Sequence, residues 1–291
     1  MNAYDTEHGG DMMGRLQGRR AVVTGASRGI GAALAERLAA EGASVAITAR
    51  TVDHHDHLAG SLNETLERCR RHGTTVVAIA ADLADADDRL RIVLEAEAAL
   101  GGPIDVMVSN AAAGIHQLAA EMNLKRRRIM FEVNVHAPID LAQQVIPSMR
   151  ERGEGWIVNV SSGSAQVVVG PPFPASAMGT TNCAYGATKA ALNRYTNILG
   201  MELHGTGIRV NTIEPHEPIA TEGAVAHLGD KIDADHYAPV EVMVEGTLAL
   251  CDGPADRTGG IFRDQLLLSV IGQPVMTLDG RSVLPGWPRR R

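Results

Sequence analysis

The chain has 291 residues, 45% hydrophobic and 21% charged, which is ordinary globular usage with enough apolar material for one large core. A net charge of −7 without a strong basic patch argues against nucleic acid as the main partner. The three cysteines, Cys69, Cys183 and Cys251, form neither a metal spacing nor a disulfide framework, and no apolar run approaches the roughly 18 residues of a membrane span.

Residues 1–17 are polar and glycine-rich. They are unlike a signal peptide and read as a flexible tail or a loosely docked arm, and the cysteine usage fits a reducing cytoplasm, with no membrane contact expected. From residue 18 onward, strands and helices alternate. Predicted strands cover Ala21–Thr24, Ser44–Ala49, Thr75–Ala80, Ile104–Ser109, Trp156–Val160, Ile208–Ile213 and Gly260–Asp264. Predicted helices cover Gly29–Glu41, Leu58–Arg71, Asp85–Leu100, Leu124–Arg150 with a break at Pro138, Cys183–His204 and Val240–Cys251. This alternation, with almost wholly apolar strands, predicts an α/β fold: one doubly wound parallel sheet covered on both faces. Residues 18–291 form that single domain, and 265–291 extend it beyond the last strand.

The first strand runs into Thr24-Gly25-Ala26-Ser27-Arg28-Gly29-Ile30-Gly31, which opens the first helix. Glycines there permit a tight turn and let the backbone approach a pyrophosphate at the positive end of the helix. Tyr185 and Lys189 are four apart on a predicted helix and share one face. Free tyrosine titrates near 10, so a catalyst near pH 7 would need that lowered by up to about 3 units, and a neighbouring ammonium acts in that direction. Ser161 and Ser162 follow the fifth strand, where its carboxyl end meets the binding crevice.

With Asp82-Leu83 after the third strand, Asn110-Ala111-Ala112 after the fourth and Asn134 in the long helix, these motifs come in an order that resembles the short-chain dehydrogenase/reductase family over about Gly18–Asp264. The resemblance implies a Rossmann-like fold and hydride transfer between a nicotinamide cofactor and a carbonyl or secondary alcohol. It implies that Tyr185 moves the proton, that Lys189 also binds the nicotinamide ribose, and that Ser162 (with Ser164 the weaker candidate) holds the substrate oxygen. Asn134 would hold a relay water. Cofactor contacts would come from Gly25, Ser27, Arg28, Gly29, Ile30 and Gly31, from Asp82 and Leu83 at the adenine, and from Asn110 and Ala111. Ala112 stands where glycine is usual, and His216 stands in place of a glycine after the sixth strand. Family members commonly assemble as homodimers or homotetramers through the helix that carries the tyrosine.

The end of the second strand, Thr48-Ala49-Arg50, has no carboxylate to bind the ribose hydroxyls of NAD. Arg50 and Arg28 could instead clamp a 2′-phosphate, so NADP(H) is expected rather than NAD(H). The competing reading is a non-catalytic, nucleotide-binding regulatory protein on the same fold, and the presence of Tyr185, Lys189 and Ser162 argues against it. Epimerisation or dehydration would call for a larger substrate domain, which is not evident. Asp53-His54-His55-Asp56-His57 resembles a metal tract but has no identifiable partner ligands, so no metal is expected. Cys183 lacks an activating base and reads as a small buried filler, and the runs at Arg126–Arg128 and Arg289–Arg291 read as solvated charge. The gap of 23 positions between Ser162 and Tyr185 exceeds the family's usual spacing. Its apolar, proline-stiffened extra length is expected to wall the substrate pocket, with Phe173 or Met178 touching the substrate; the alternative is packing against a neighbouring subunit.

Overall fold

The computed structural model describes residues 14–54, 58–173, 181–224 and 236–288. Seven parallel strands form one sheet in the order β3-β2-β1-β4-β5-β6-β7. They are β1 Arg20–Thr24, β2 Ser44–Ala49, β3 Val76–Ala80, β4 Val106–Ser109, β5 Gly155–Val160, β6 Ile208–Glu214 and β7 Ile261–Arg263. The helices are α1 Gly29–Ala40, α2 Leu62–Arg70, α3 Ala86–Leu100, α4 Leu124–Phe131, α5 Ala137–Arg152, α6 Cys183–Glu202, α7 Val240–Cys251 and α8 Asp264–Ile271. The strand order reverses between β1 and β4, so a crevice opens above their carboxyl ends. The expected α/β, doubly wound, single-domain architecture is the observed one.

The apolar strands sort their side chains by parity. Val23, Val106, Val158 and Ile213 face a core shared with Leu34 and Leu38 of α1 and Val242 and Leu248 of α7. Val22, Met107, Ile157 and Val210 face the opposite core, with Ile92 of α3, Leu141 of α5 and Leu199 of α6. Each fully buried aliphatic side chain of this kind contributes about 2 kcal/mol of hydrophobic stabilisation.

Element boundaries follow local chemistry. α2 starts at Leu62 rather than Leu58, because the Ser61 hydroxyl caps it by accepting the Glu64 N–H at 3.2 Å. The Asp85 carboxylate caps α3 in the same way, accepting from Asp87. The break expected at Pro138 falls just ahead of it, as a π-helical turn over Glu132–His136 in which the Ala137 N–H donates to the Glu132 carbonyl, five residues back. Pro138 then sits in the first turn of α5, where a missing N–H is tolerated.

The expected N-terminal tail ends earlier than residue 17. Leu16 is buried in the α1/α7 core, and the Arg15 guanidinium pairs with Glu245 and Asp252 at 2.7 Å each. Arg37 joins the same network through Glu245 and Glu41 at 2.8 Å each, and both Arg37 and Glu245 are buried. The C-terminal extension folds back over this end of the molecule. Val275 is buried, Leu278, Leu284 and Trp287 pack on the core, and the Thr277 carbonyl accepts from Arg37 at 3.3 Å. Residues 1–13 and Arg289–Arg291 lie outside the described residues.

Candidate active site

The turn after β1 is shaped by glycine where nothing larger fits. Gly25 has φ +67°, and a Cβ there would lie 2.7 Å from the Ala111 Cα. A Cβ on Gly31 would collide with the Asn110 amide and the Gly25 carbonyl. The neighbouring β4 loop is fastened to this turn from above. Asn110 Nδ2 donates to the Thr24 carbonyl at 2.9 Å, and the Thr24 hydroxyl accepts the Asn110 and Ala111 N–H groups at 3.0 and 3.1 Å. Ala112 is accommodated in place of glycine, since no described non-glycine residue has positive φ.

Beside the turn lies a cleft of about 290 Å³ that gathers Gly25, Ser27, Arg28, Arg50, Asp82, Leu83, Asn110 and Ala111 from four separate loops. Gly29, Ile30 and Gly31 lie outside its lining. They shape the start of α1, and Ile30 packs on the core. The Gly29 N–H, at the positive end of α1, donates to Glu222 Oε2 at 3.1 Å, so this helix end already takes a carboxylate. The Arg28 guanidinium donates to the Ala59 and Gly60 carbonyls at 2.8 and 2.9 Å. Arg50 is exposed on the cleft wall. Asp82 stiffens its own turn, with its carboxylate accepting the Ala84 N–H at 3.0 Å.

Tyr185, Lys189 and Ser162 come together beyond the nucleotide-sized cleft. The Ser162 side chain meets the Tyr185 phenol; burial pushes the phenol's pKa up, and this contact works against that rise. Lys189 is fully buried one helical turn further on. Its Nζ donates to the Val160 carbonyl at 2.7 Å and lies 6.0 Å from the Tyr185 ring centroid. Burial lowers this ammonium to about 8. Ser162 is held in extended backbone, and its hydroxyl also accepts the Ser164 N–H at 3.2 Å, capping the short 3₁₀ turn Gly163–Ala165.

Asn134 is buried inside the π turn. Its amide accepts from the Ala113 N–H at 2.8 Å and donates to the Ala113 carbonyl and the Thr188 hydroxyl at 3.0 Å each. The side chain therefore braces the β4 loop against α6.

Three contacts escaped sequence reasoning. The His116 ring, from the β4 loop, lies 5.4 Å from the Tyr185 ring at 56°. Gln166 Nε2 donates to the buried Glu214 carboxylate at 2.6 Å. Glu222 reaches Gly29 across 193 positions. None has a spacing signal, because each joins residues on different elements.

The 163–184 stretch is anchored at both feet, by Gln166 on Glu214 and by the Thr181 carbonyl, which accepts the Gln117 N–H at 3.0 Å. Phe173 is exposed, and Met178 lies outside the described residues. In the His-rich tract, His55–His57 also lie outside them, and no group of three His, Cys, Asp or Glu able to hold a metal occurs among the described residues. Cys183 is not the buried filler expected: it is exposed, because it opens α6 on the helix's outer side. Among the described residues no helix is long and apolar enough to cross a membrane.

The family model for short chain dehydrogenase matches residues 19–227. The chain is 34% identical to L-xylulose reductase from Bos taurus, over 84% of this chain and 94% of that protein. Its fold superposes on the 3-oxoacyl (acyl-carrier-protein) reductase of Agrobacterium tumefaciens C58, solved with NADP bound, with a TM-score of 0.72 and 28% identity over 86% of this chain and 94% of that one. A short chain dehydrogenase from Mycobacterium thermoresistibile gives a TM-score of 0.78 at 25% identity over 94% of this chain and 99% of that chain. Sequence, fold and site geometry agree: the chain belongs to the short-chain dehydrogenase/reductase family, oxidoreductases that act on CH–OH and C=O groups.

Proposed function

We propose that the protein is an NADP(H)-dependent reductase or dehydrogenase of a small carbonyl or secondary alcohol compound, with Tyr185 as its acid/base. The observation that carries this reading is the meeting of Ser162, Tyr185 and buried Lys189, whose Nζ lies 6.0 Å from the Tyr185 ring and donates to the Val160 carbonyl two residues before the serine. The cleft fits the cofactor on three counts. Its glycine turn excludes any side chain at Gly25 and Gly31, its helix end already accepts a carboxylate at Gly29, and the end of β2 has Arg50 in place of an acid. Arg50 and Arg28 would meet a 2′-phosphate, while Asp82 and Leu83 line the adenine end. When bound, the cofactor supplies or accepts the hydride.

The protein's own groups handle the oxygen and the proton. Ser162 holds the substrate oxygen and orients it toward the phenol. Tyr185 donates a proton to the developing alkoxide in reduction and removes it in oxidation. The Lys189 ammonium favours phenolate, and through its bond to Val160 it is fixed relative to the serine. Asn134 keeps the β4 loop in register with α6, and a relay water at this point would link Lys189 to solvent.

Replacing Tyr185 with Phe tests the reading. Turnover of NADPH with a ketone panel should fall at least about a hundredfold, while cofactor affinity stays close to wild type. A variant retaining a tenth of wild-type kcat would exclude Tyr185 as the acid/base.

We also propose a cytoplasmic homodimer or homotetramer that pairs through α6, where Ala187 and Ala190 are exposed and small enough for close helix packing.

A further inference from the structure

Glu214 closes β6 and is 1% exposed, yet few groups compensate it. One oxygen accepts from Gln166 Nε2 at 2.6 Å and from Arg263 Nε at 3.3 Å. The other oxygen is buried and has no hydrogen-bond partner among the described residues. A buried carboxylate held this sparingly costs stability, so its position calls for a functional reason.

Its surroundings supply one. The β5–β6 ladder pairs Val160 with Ile213, and the Ser161 N–H continues it by donating to the Ile213 carbonyl at 2.7 Å. Glu214 therefore lies alongside Ser161, one residue before Ser162. Gln166 ends the 3₁₀ turn that Ser162 begins, so the chain leaves the catalytic serine, makes one turn and is tied back to the strand beside it. Among the described residues, the backbone N–H groups of the turn make short-range bonds: Ser164 N–H to Ser162 Oγ, Ala165 N–H to the Ser162 carbonyl, and Gln166 N–H to the Gly163 carbonyl. Gln166–Glu214 ties it to the sheet.

We propose that Glu214 is a positioning residue: acting through Gln166, it fixes the Ser162 turn so that the serine hydroxyl stays in contact with Tyr185. The inference rests on the reading of Tyr185 as the acid/base. It predicts that losing the tie removes the Ser162 contact, and with it the influence that holds the phenol's titration down against burial. The other titratable groups near the phenol are Lys189 on α6 and His116 on the β4 loop. Around Glu214 they are Arg263 on β7, Asp264 on α8 and Glu217 on the β6 loop.

The deciding variant is Q166A, which changes no charge and sits at an exposed position, so it should fold. E214A removes the same tie, and E214Q keeps the acceptor oxygen. Two readouts apply: kcat with NADPH against a ketone panel, alongside NADPH affinity by fluorescence, and the tyrosinate absorbance titration of the cofactor-free protein, using Y185F to isolate the residue. Q166A and E214A should lower kcat at neutral pH about tenfold, leave NADPH affinity unchanged and raise the Tyr185 titration, since the Ser162 contact that works against the rise is lost. E214Q should restore both toward wild type. Wild-type kcat and titration in Q166A would overturn the proposal. A titration shift in Q166A, in a protein that reduces no carbonyl compound, would uphold the positioning role and overturn the functional reading instead.

Discussion

The two ends of the sheet treat buried charge in opposite ways. At the amino ends of the strands, Arg15, Arg37, Glu41, Glu245 and Asp252 form a closed network in which each guanidinium meets two carboxylates within 2.8 Å. At the carboxyl ends, Lys189 is buried with a carbonyl as its partner, and Glu214 and Asp264 are buried with one oxygen each lacking a hydrogen bond among the described residues. The first arrangement ties four distant segments together: residue 15, α1, α7 and the C-terminal extension. The second leaves buried charge sparsely compensated; burial lowers the Lys189 ammonium to about 8 and raises the Asp264 carboxyl to about 6. One fold thus places closed ion pairs and sparsely compensated buried charge at opposite ends of the same strands.

The same chemical change, carboxylate to amide, should have opposite signs at the two ends. Glu245→Gln removes the buried carboxylate that Arg15 and Arg37 share, leaving Arg37 with Glu41 and the Thr277 carbonyl. Breaking a buried pair costs about 3–5 kcal/mol, a drop in Tm on the order of 10 °C for a domain of this size. Calorimetry would check it, and an unchanged Tm would remove the distinction. Asp264→Asn should stabilise. Burial, opposed by the His216 and Gln265 N–H bonds and assisted by Glu217 and Glu214, raises this carboxyl from 3.8 to about 6. The folded protein therefore binds the proton more tightly than the unfolded chain does. Wild type carries the full penalty above pH 6 and sheds it as pH falls toward 3.8. The variant, which keeps the acceptor for both N–H groups, should be more stable at pH 7 by up to about 3 kcal/mol, with the difference gone near pH 4. Denaturant titrations at several pH values would show whether the gain fades on that schedule. The smallest effect is expected at the nucleotide cleft, where Arg50→Asp should erase or reverse a preference for NADPH over NADH of about tenfold to a hundredfold, or 1.4–3 kcal/mol of phosphate contact. Equal kcat/KM for the two cofactors in wild type would end that argument.

What was legible in the sequence is what local pattern encodes. Alternating apolar strands and periodic helices located the sheet, because burial on both faces leaves a mark in every strand. Thr24–Gly31 and the Tyr185/Lys189 pair were legible because a turn and a helix fix their spacing without help from elsewhere. The network at the amino ends was not legible, since Arg15 meets Glu245 across 230 positions and no local pattern pairs them. Leu16 was read into the tail for the same reason: its partners lie on α1 and α7. The π turn at Asn134 escaped because an extra residue in a helical turn leaves the apolar period almost intact. Glu214 read as a strand end, and only the fold shows that Gln166, 48 positions earlier, returns to it.

The two anchored feet of the 163–184 stretch have an evolutionary consequence. With Gln166 and Gln117 fixing where the chain leaves and re-enters the body, the span between them can lengthen or shorten without moving Ser162 or Tyr185. Loop-closure entropy rises only logarithmically, about 0.6 kcal/mol for each doubling of length, so such indels cost little stability. Length changes between the two feet are therefore expected to leave the positions of Ser162 and Tyr185 in place.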